Sequence, residues 1–269
     1  MSSNTSNLLN SGICTQKSLA SSQFQDWAVQ FKEAPGHLHR KIWEWCFITQ
    51  ALSERDLLKS GVSGLGFAVG TEPLASKFCS LGASVMATDV AADIADEKGW
   101  VDTNQHASSL ESLNSRNLCE PTTFAERCTF RSVDMNHIPD DLGTYDFIWS
   151  SCALEHLGSL ELGEQFIYNS LKCLKPGGFA VHTTEYNCSS NSDTIKTGGT
   201  VLYRKKDIQN IVANLQKEGH LIEMDFATGD MPEDDFIDVP PYKHNPHLKL
   251  KFAKYVITSA GLIIQKLAN

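Results

Sequence analysis

Apolar positions change rhythm along the chain. From Phe24 to Leu52 they recur at helical spacing, first Phe24, Trp27, Ala28 and Phe31, then Ile42, Trp43, Cys46 and Phe47. Pro35-Gly36 separates these two predicted helices. From Val62 onwards the pattern alternates between short apolar runs and longer helical stretches. It predicts strands within 62–69, 83–88, 128–133, 145–150, 179–184, near 221–224 and within 254–265. It predicts helices over about 72–81, 91–98, 107–114, 160–174 and 206–217, with Lys175-Pro176-Gly177-Gly178 breaking the chain before the fifth strand. Strands alternating with helices imply a doubly wound, mostly parallel α/β sheet, here of seven strands beneath an N-terminal helical cap.

The expected organisation is a flexible tail over 1–22 and a single domain over 23–269. Within that domain, 23–60 form the cap, 61–185 the core, and 186–269 the substrate-side loops and last strands. The tail is rich in Ser and Asn and lacks the basic start and apolar block of a secretion signal. No stretch approaches the length needed to span a bilayer.

The formal net charge of −9 argues against a nucleic-acid partner, because phosphate binding calls for a basic stripe. The nearest cluster, Tyr203-Arg204-Lys205-Lys206, reads as a solvated helix start. The 8 cysteines include no CxxC pair and no zinc spacing. Several sit in apolar runs, which points to reduced thiols and a cytoplasmic protein.

In doubly wound sheets, ligands bind at the carboxyl ends of the strands. There the first predicted strand runs into Gly64-Leu65-Gly66-Phe67-Ala68-Val69-Gly70-Thr71-Glu72. Glycines in such a turn allow unusual backbone angles and close ligand approach. Asp89 closes the second strand, where a carboxylate can accept both hydroxyl protons of a ribose. Asp134 closes the third, where an acceptor can meet an adenine amino group, and Met135 can pack on the ring. Each feature alone has a plain structural reading, as a tight turn or a helix cap. Their order, one per strand tip, is harder to explain as coincidence.

From about 62 to 178, with looser coverage beyond, the sequence resembles the class I S-adenosylmethionine-dependent methyltransferases. Gly66 and Gly70 match that family's glycine-rich motif, Asp89 its ribose-binding acid and Asp134 its adenine-side acid. Tyr145-Asp146-Phe147-Ile148-Trp149-Ser150, then Ala153-Leu154-Glu155-His156-Leu157, resemble its fourth strand and following loop. Leu174-Lys175-Pro176-Gly177-Gly178 resembles the break before its fifth. The chain departs from the pattern where Gly64 stands for the usual acid and Ala68 for the central glycine; Glu72 is then either the candidate contact for the methionine amino group or only a cap of the helix. The resemblance implies a Rossmann-like methyltransferase fold, S-adenosylmethionine as cofactor, and Gly64, Gly66, Gly70, Glu72, Asp89, Asp134, Met135 and Ser151 as its binding residues.

Gly64-x-Gly66-x-x-x-Gly70 also approximates a nicotinamide-cofactor turn, and Tyr168-Asn169-Ser170-Leu171-Lys172 mimics the Tyr-x-x-x-Lys pair of short-chain dehydrogenases. That pair lies on the helix leading into Lys175-Pro176, so surface or packing residues are the better reading.

Methyl transfer to a hydroxyl needs alignment and removal of a proton. Near the end of the fourth strand, His156 is the candidate general base, with Glu155 orienting it or the substrate; the plainer role for this pair is to brace the loop. Glu185 and Asn187, the polar segment 188–200, Tyr203, Arg204 and the loop Asp238-Val239-Pro240-Pro241-Tyr242-Lys243-His244 with His247 are expected to form the acceptor wall, with no metal. The helix around Arg40, Trp43 and Trp45 is either core or a cofactor cover. The polar loops favour a small-molecule acceptor, such as a sugar or glycan hydroxyl. A protein or RNA methyltransferase, or an adenosyl-binding protein without turnover, remain the alternatives.

Overall fold

The computed structural model describes residues 8–91, 106–107 and 109–267. Its centre is a sheet of nine strands among the described residues. In chain order these are β1 (Gly12–Ile13), β2 (Ser63–Phe67), β3 (Ser84–Asp89), β4 (Cys128–Ser132), β5 (Tyr145–Ser150), β6 (Leu174–Asn187), β7 (Ile237–Asp238), β8 (Lys249–Phe252) and β9 (Tyr255–Gln265). Their spatial order is β4-β3-β2-β5-β6-β9-β8-β7, with β1 also on β9. β2 to β6 run parallel, and β9 is antiparallel to both β6 and β8. The count exceeds the expected seven because β1 and β7 are two-residue additions.

Among the described residues the α-helices are α1 (Gln16–Leu19), α2 (Ser22–Gln30), α3 (Arg40–Ser53), α4 (Leu74–Ser80), α5 (Pro121–Arg127), α6 (Leu160–Ser170), α7 (Lys205–Lys217) and α8 (Pro232–Asp235). They cover both faces of the sheet. Alternation along the strands sends side chains to opposite faces. Phe147 and Trp149 join the core beneath α2, α3 and α4, together with Trp43, Phe47 and Phe78. Ile148 joins Leu65, Phe67, Phe166, Ile208 and Ile211 beneath α6 and α7.

The glycines of β2 belong to this packing. Gly64 pairs with Phe147 and Gly66 with Trp149 across β2 and β5. A Cβ at Gly64 would lie 2.2 Å from the Phe147 ring, and one at Gly66 2.4 Å from Trp149 and 2.5 Å from Val69. The two aromatic rings fill the face that the glycines leave bare.

Several expectations need correction. The tail is docked over 8–22: Ile13, Cys14 and Leu19 are buried, β1 pairs with β9, and the Trp43 indole donates to Ser18 Oγ at 2.7 Å. Three apolar residues anchor a segment whose overall composition is polar. Residues 221–224 form no strand, only isolated bridges from Leu221 and Met224, and Leu221 is exposed. β8 takes the place beside β9 instead. Lys175–Gly178 does not end the chain's pairing either; it is a register shift inside β6, between Tyr145↔Leu174 and Phe147↔Phe179. The helix expected over 91–98 lies outside the described residues. Over 107–114 the described residues show a short 3-10 turn, Glu111–Asn114.

Candidate active site

A cavity of about 560 Å³ opens over the carboxyl ends of the parallel strands and beneath the start of α3. That is ample for a nucleoside-sized ligand together with a small second molecule. At one end, β2 turns into α4. Ala68 and Gly70 line the cavity in left-handed conformations, φ 46° and 52°. An alanine held there costs about 1 kcal/mol, and Val69 N–H, donating to Thr88 O at 3.0 Å, helps hold the turn. Thr88 Oγ donates to Gly66 O at 2.7 Å and ties β2 to β3.

Asp89 faces this turn from the tip of β3. Its carboxylate accepts from Gly70 N–H (3.1 Å), Val90 N–H (2.8 Å) and Ala107 N–H (3.1 Å). A carboxylate has about four lone-pair positions, so acceptor capacity remains for a ligand's hydroxyls. Burial raises its pKa above the usual value, against the pull of those N–H groups. Val133 and Met135, both buried, form an apolar shelf beside it. Asp134 also lines the cavity, but its oxygens meet Asn136 N–H at 2.9 Å and His137 Nδ1 at 2.9 Å, closing its own turn.

The middle of the cavity is roofed by α3. His39 caps this helix, its Nδ1 accepting from Lys41 N–H at 3.1 Å. The first turns then point Arg40, Lys41 and Glu44 toward the sheet. Glu44 is fully buried, with Arg40 Nη1 at 3.3 Å, Lys41 Nζ at 3.2 Å, and the Ser151, Thr183 and Ser259 hydroxyls donating to it. Burial alone would raise this carboxyl; Lys41, Arg40 and Ser259 outweigh it and hold it down at about 2. Ser151 also donates to Glu72 at 2.9 Å. Burial, with Glu44 nearby, lifts the Glu72 carboxyl to about 7 despite Lys41.

The far end holds Glu155 and His156, on the short 3-10 turn after β5 (Leu154–His156). The preceding Cys152 is left-handed, φ 46°, and lines the cavity. Glu155 is fully buried; one oxygen accepts from Thr184 Oγ at 3.0 Å, and Oε1 has no hydrogen-bond partner. His156 is half-buried. Its Nδ1 lies 2.7 Å from Gly199 O, and Nε2 lies 4.0 Å from Glu155 Oε1. A proton on Nδ1, donated to that carbonyl, leaves Nε2 as the basic nitrogen. Glu185 reaches in from β6, paired with Arg40 at 2.5 Å through Oε1, while Oε2 is buried without a partner. Burial raises the Glu185 carboxyl against Arg40. Cys152, Glu155 and Glu185 bring their ligand-type atoms within 4.8 Å of one another, a cluster absent from the sequence reading.

The structure therefore gathers Gly70, Glu72, Asp89, Asp134, Met135, Ser151, Glu155 and His156 around one cavity. Gly64 and Gly66 are corrections: they sit inside β2 against Phe147 and Trp149, outside the cavity lining. Of the expected acceptor wall, Glu185, Thr200, Tyr242 and His247 line the cavity. Asn187 instead binds its own loop at Asp193 O, Tyr203 is core, and Arg204 pairs with Asp207 at the head of α7. His247 Nδ1 lies 2.6 Å from Asp238 and its ring stacks on His39 at 4.6 Å, which seats the 238–247 loop on α3. Trp43 is core while Arg40 and Trp45 face the cavity, so α3 serves both roles. Tyr168 and Lys172 lie off the cavity, bonded to Glu164 and Asn169, which removes the dehydrogenase pair. Lys41, Glu44 and His106 were missed. For Lys41 and Glu44 the available signal was a carboxylate three and four residues after two cations in an otherwise apolar helix.

Residues 64–182 match the family model of a methyltransferase domain. No curated protein matches the sequence. Among solved structures, a S-adenosylmethionine-dependent methyltransferase from Methanosarcina mazei is similar at TM-score 0.50 and 11% identity, over 81% of this chain and 98% of that one. Magnesium protoporphyrin IX methyltransferase from Synechocystis PCC 6803, with S-adenosylmethionine bound, is similar at TM-score 0.48 and 13% identity, over 93% and 94%. At such identity the likeness to the Methanosarcina protein speaks to the fold alone. No helix among the described residues is long and apolar enough to cross a membrane.

Proposed function

As a class I S-adenosylmethionine-dependent methyltransferase, this chain needs an acceptor, and we propose that it methylates a hydroxyl of a small polar molecule, such as a sugar, with His156 as general base. The observation that carries this reading is the single cavity that joins Asp89 to His156.

The residues present fit the cofactor. Asp89 has lone pairs to spare for ribose hydroxyls, Val133 and Met135 offer a flat apolar contact for a base, and Gly70 lets the ligand approach the main chain. Glu72, Lys41 and Ser151 would hold the ammonium and carboxylate of the methionine part. When bound, S-adenosylmethionine supplies an electrophilic methyl carbon on a positively charged sulfur. His156 Nε2 would take the acceptor's hydroxyl proton, so that the oxygen could displace neutral S-adenosylhomocysteine from the methyl carbon. Gly199 O, at 2.7 Å from Nδ1, steadies the imidazolium that results. Tyr242, Leu250, Phe252 and Ile257 present a partly apolar wall to the acceptor's body.

The test is release of S-adenosylhomocysteine from labelled S-adenosylmethionine with an extract-derived acceptor pool. Positioned proton removal is worth about 10²–10⁴ in rate, so His156→Ala should lose that much turnover with S-adenosylhomocysteine affinity retained. Near-normal turnover in a folded variant sinks the base; no methyl transfer to any pool favours an adenosyl-binding protein without turnover.

A further inference from the structure

We propose that the acceptor carries a protonated amine beside the hydroxyl to be methylated, and that Glu155 and Glu185 hold this ammonium. The inference rests on the methyl-transfer reading of the same cavity and names the class of molecule that fits it, a β-amino alcohol.

The two carboxylates are incomplete. Glu155 is 0% and Glu185 5% exposed, yet each keeps one oxygen without a hydrogen-bond partner. An unpaired buried carboxylate oxygen costs several kcal/mol, so a site that keeps two of them is built to receive donors. The chain's own donors are spent on the other oxygens, Thr184 on Glu155 and Arg40 on Glu185. Both residues line the cavity, and their ligand-type atoms lie within 4.8 Å of each other. One nitrogen donating two bonds of about 2.8 Å can reach oxygens that far apart.

The charges agree. Three acidic side chains that line the cavity (Glu72, Glu155 and Glu185) and the buried Glu44 gather with two side-chain cations, Arg40 and Lys41. Arg40 is committed to Glu185 and Glu44, and Lys41 to Glu44; beside Glu155 stands the His156 ring, with Nε2 at 4.0 Å. That spacing also sets the acceptor's shape. An amine on Glu155 Oε1 places a neighbouring hydroxyl at His156 Nε2, within reach of its proton.

A metal ion on Cys152, Glu155 and Glu185 fits less well. Arg40 Nη1 stands 3.6 Å from Cys152 Sγ, and its guanidinium pairs with Glu185, so a fixed positive charge already touches two of the three ligands. Burial, with Glu155 and Glu44, raises the thiol pKa, whereas a metal needs the thiolate.

The experiment titrates trans-2-aminocyclohexanol and trans-1,2-cyclohexanediol, then D-glucosamine and D-glucose, into the full chain saturated with S-adenosylhomocysteine, using calorimetry near neutral pH. The amine member of each pair should bind about tenfold tighter, the gain of one charged hydrogen bond. Glu155→Gln should erase that preference and leave S-adenosylhomocysteine affinity unchanged. Equal binding within both pairs, or none by either member, overturns the proposal, and wild-type protein alone decides this if the variant fails to fold. So does a preference that survives in the variant, a loss of S-adenosylhomocysteine affinity there, or tight Zn²⁺ or Mn²⁺ binding that Glu155→Gln abolishes. Failure of wild-type protein to bind S-adenosylhomocysteine breaks the methyltransferase reading instead.

Discussion

The two ends of the cavity hold carboxylates in opposite ways. Asp89 is fixed by the main chain, with N–H groups of Gly70, Val90 and Ala107 aimed at it. Glu44, Glu155 and Glu185 are held by side chains that converge from distant parts of the chain, and two of the three keep an unpartnered oxygen. The first arrangement belongs to one strand tip and its neighbour. The second exists only because α3 lays Arg40, Lys41 and Glu44 across β5, β6 and β9. One end is thus specified locally. The other depends on assembly of the whole domain.

Glu44→Ala is the strongest test of that contrast. It takes from Lys41 its carboxylate partner and leaves the buried Arg40 with Glu185 alone, and breaking a buried pair in this way costs about 3–5 kcal/mol. Urea unfolding should show the loss. A change below about 1 kcal/mol would mean that the cluster is not the keystone of the α3 end.

At the other end, Asp89→Asn should act mainly on the cofactor. The amide has one acceptor oxygen for three backbone donors, and losing hydrogen bonds to a charged acceptor costs about 1.5–3 kcal/mol. Calorimetry with S-adenosylhomocysteine should therefore show about tenfold to hundredfold weaker binding. Unchanged affinity would remove Asp89 as the ribose acceptor.

What the sequence revealed follows the same division. β2 to β6 could be read from apolar runs, because each buried strand carries its own signal. Asp89, Gly70 and Met135 could be placed because a strand tip fixes them within a few residues. The Glu44 cluster could not, since nothing local tells which strands a helix over 100 residues away in sequence will cover: Glu44 and Ser259 are 215 apart. The docked tail escaped for a related reason, as Ile13 finds its strand partner only at the far end of the chain, in β9. β8 was missed because four residues give no periodicity to read.

Gly66 separates motif from mechanism. Its place in a glycine-rich motif points to the ligand, but its neighbours are Trp149 and Val69. Gly66→Ala forces a methyl group into that contact, an overpacking worth about 1–3 kcal/mol. Thermal unfolding should detect it, while S-adenosylhomocysteine affinity of the folded fraction stays near wild type. A selective loss of affinity would restore the glycine to the ligand wall.

Glu72 provides the smallest and most specific test. Its carboxyl is raised from the usual 4.5 to about 7 by burial and Glu44. A raised acid holds its proton more tightly in the folded state, so its contribution to stability is present below about 4.5 and is lost as pH rises toward 7. Cofactor binding runs the other way. A methionine ammonium at Glu72 favours the carboxylate, so S-adenosylhomocysteine affinity should fall as pH drops below about 7, by at most about tenfold per pH unit. Lys41 already offsets part of the charge, which brings the expected slope below that limit. Glu72→Gln should flatten it. If the slope persists in the variant, the proton belongs to another group, and Glu72 only caps the turn into α4.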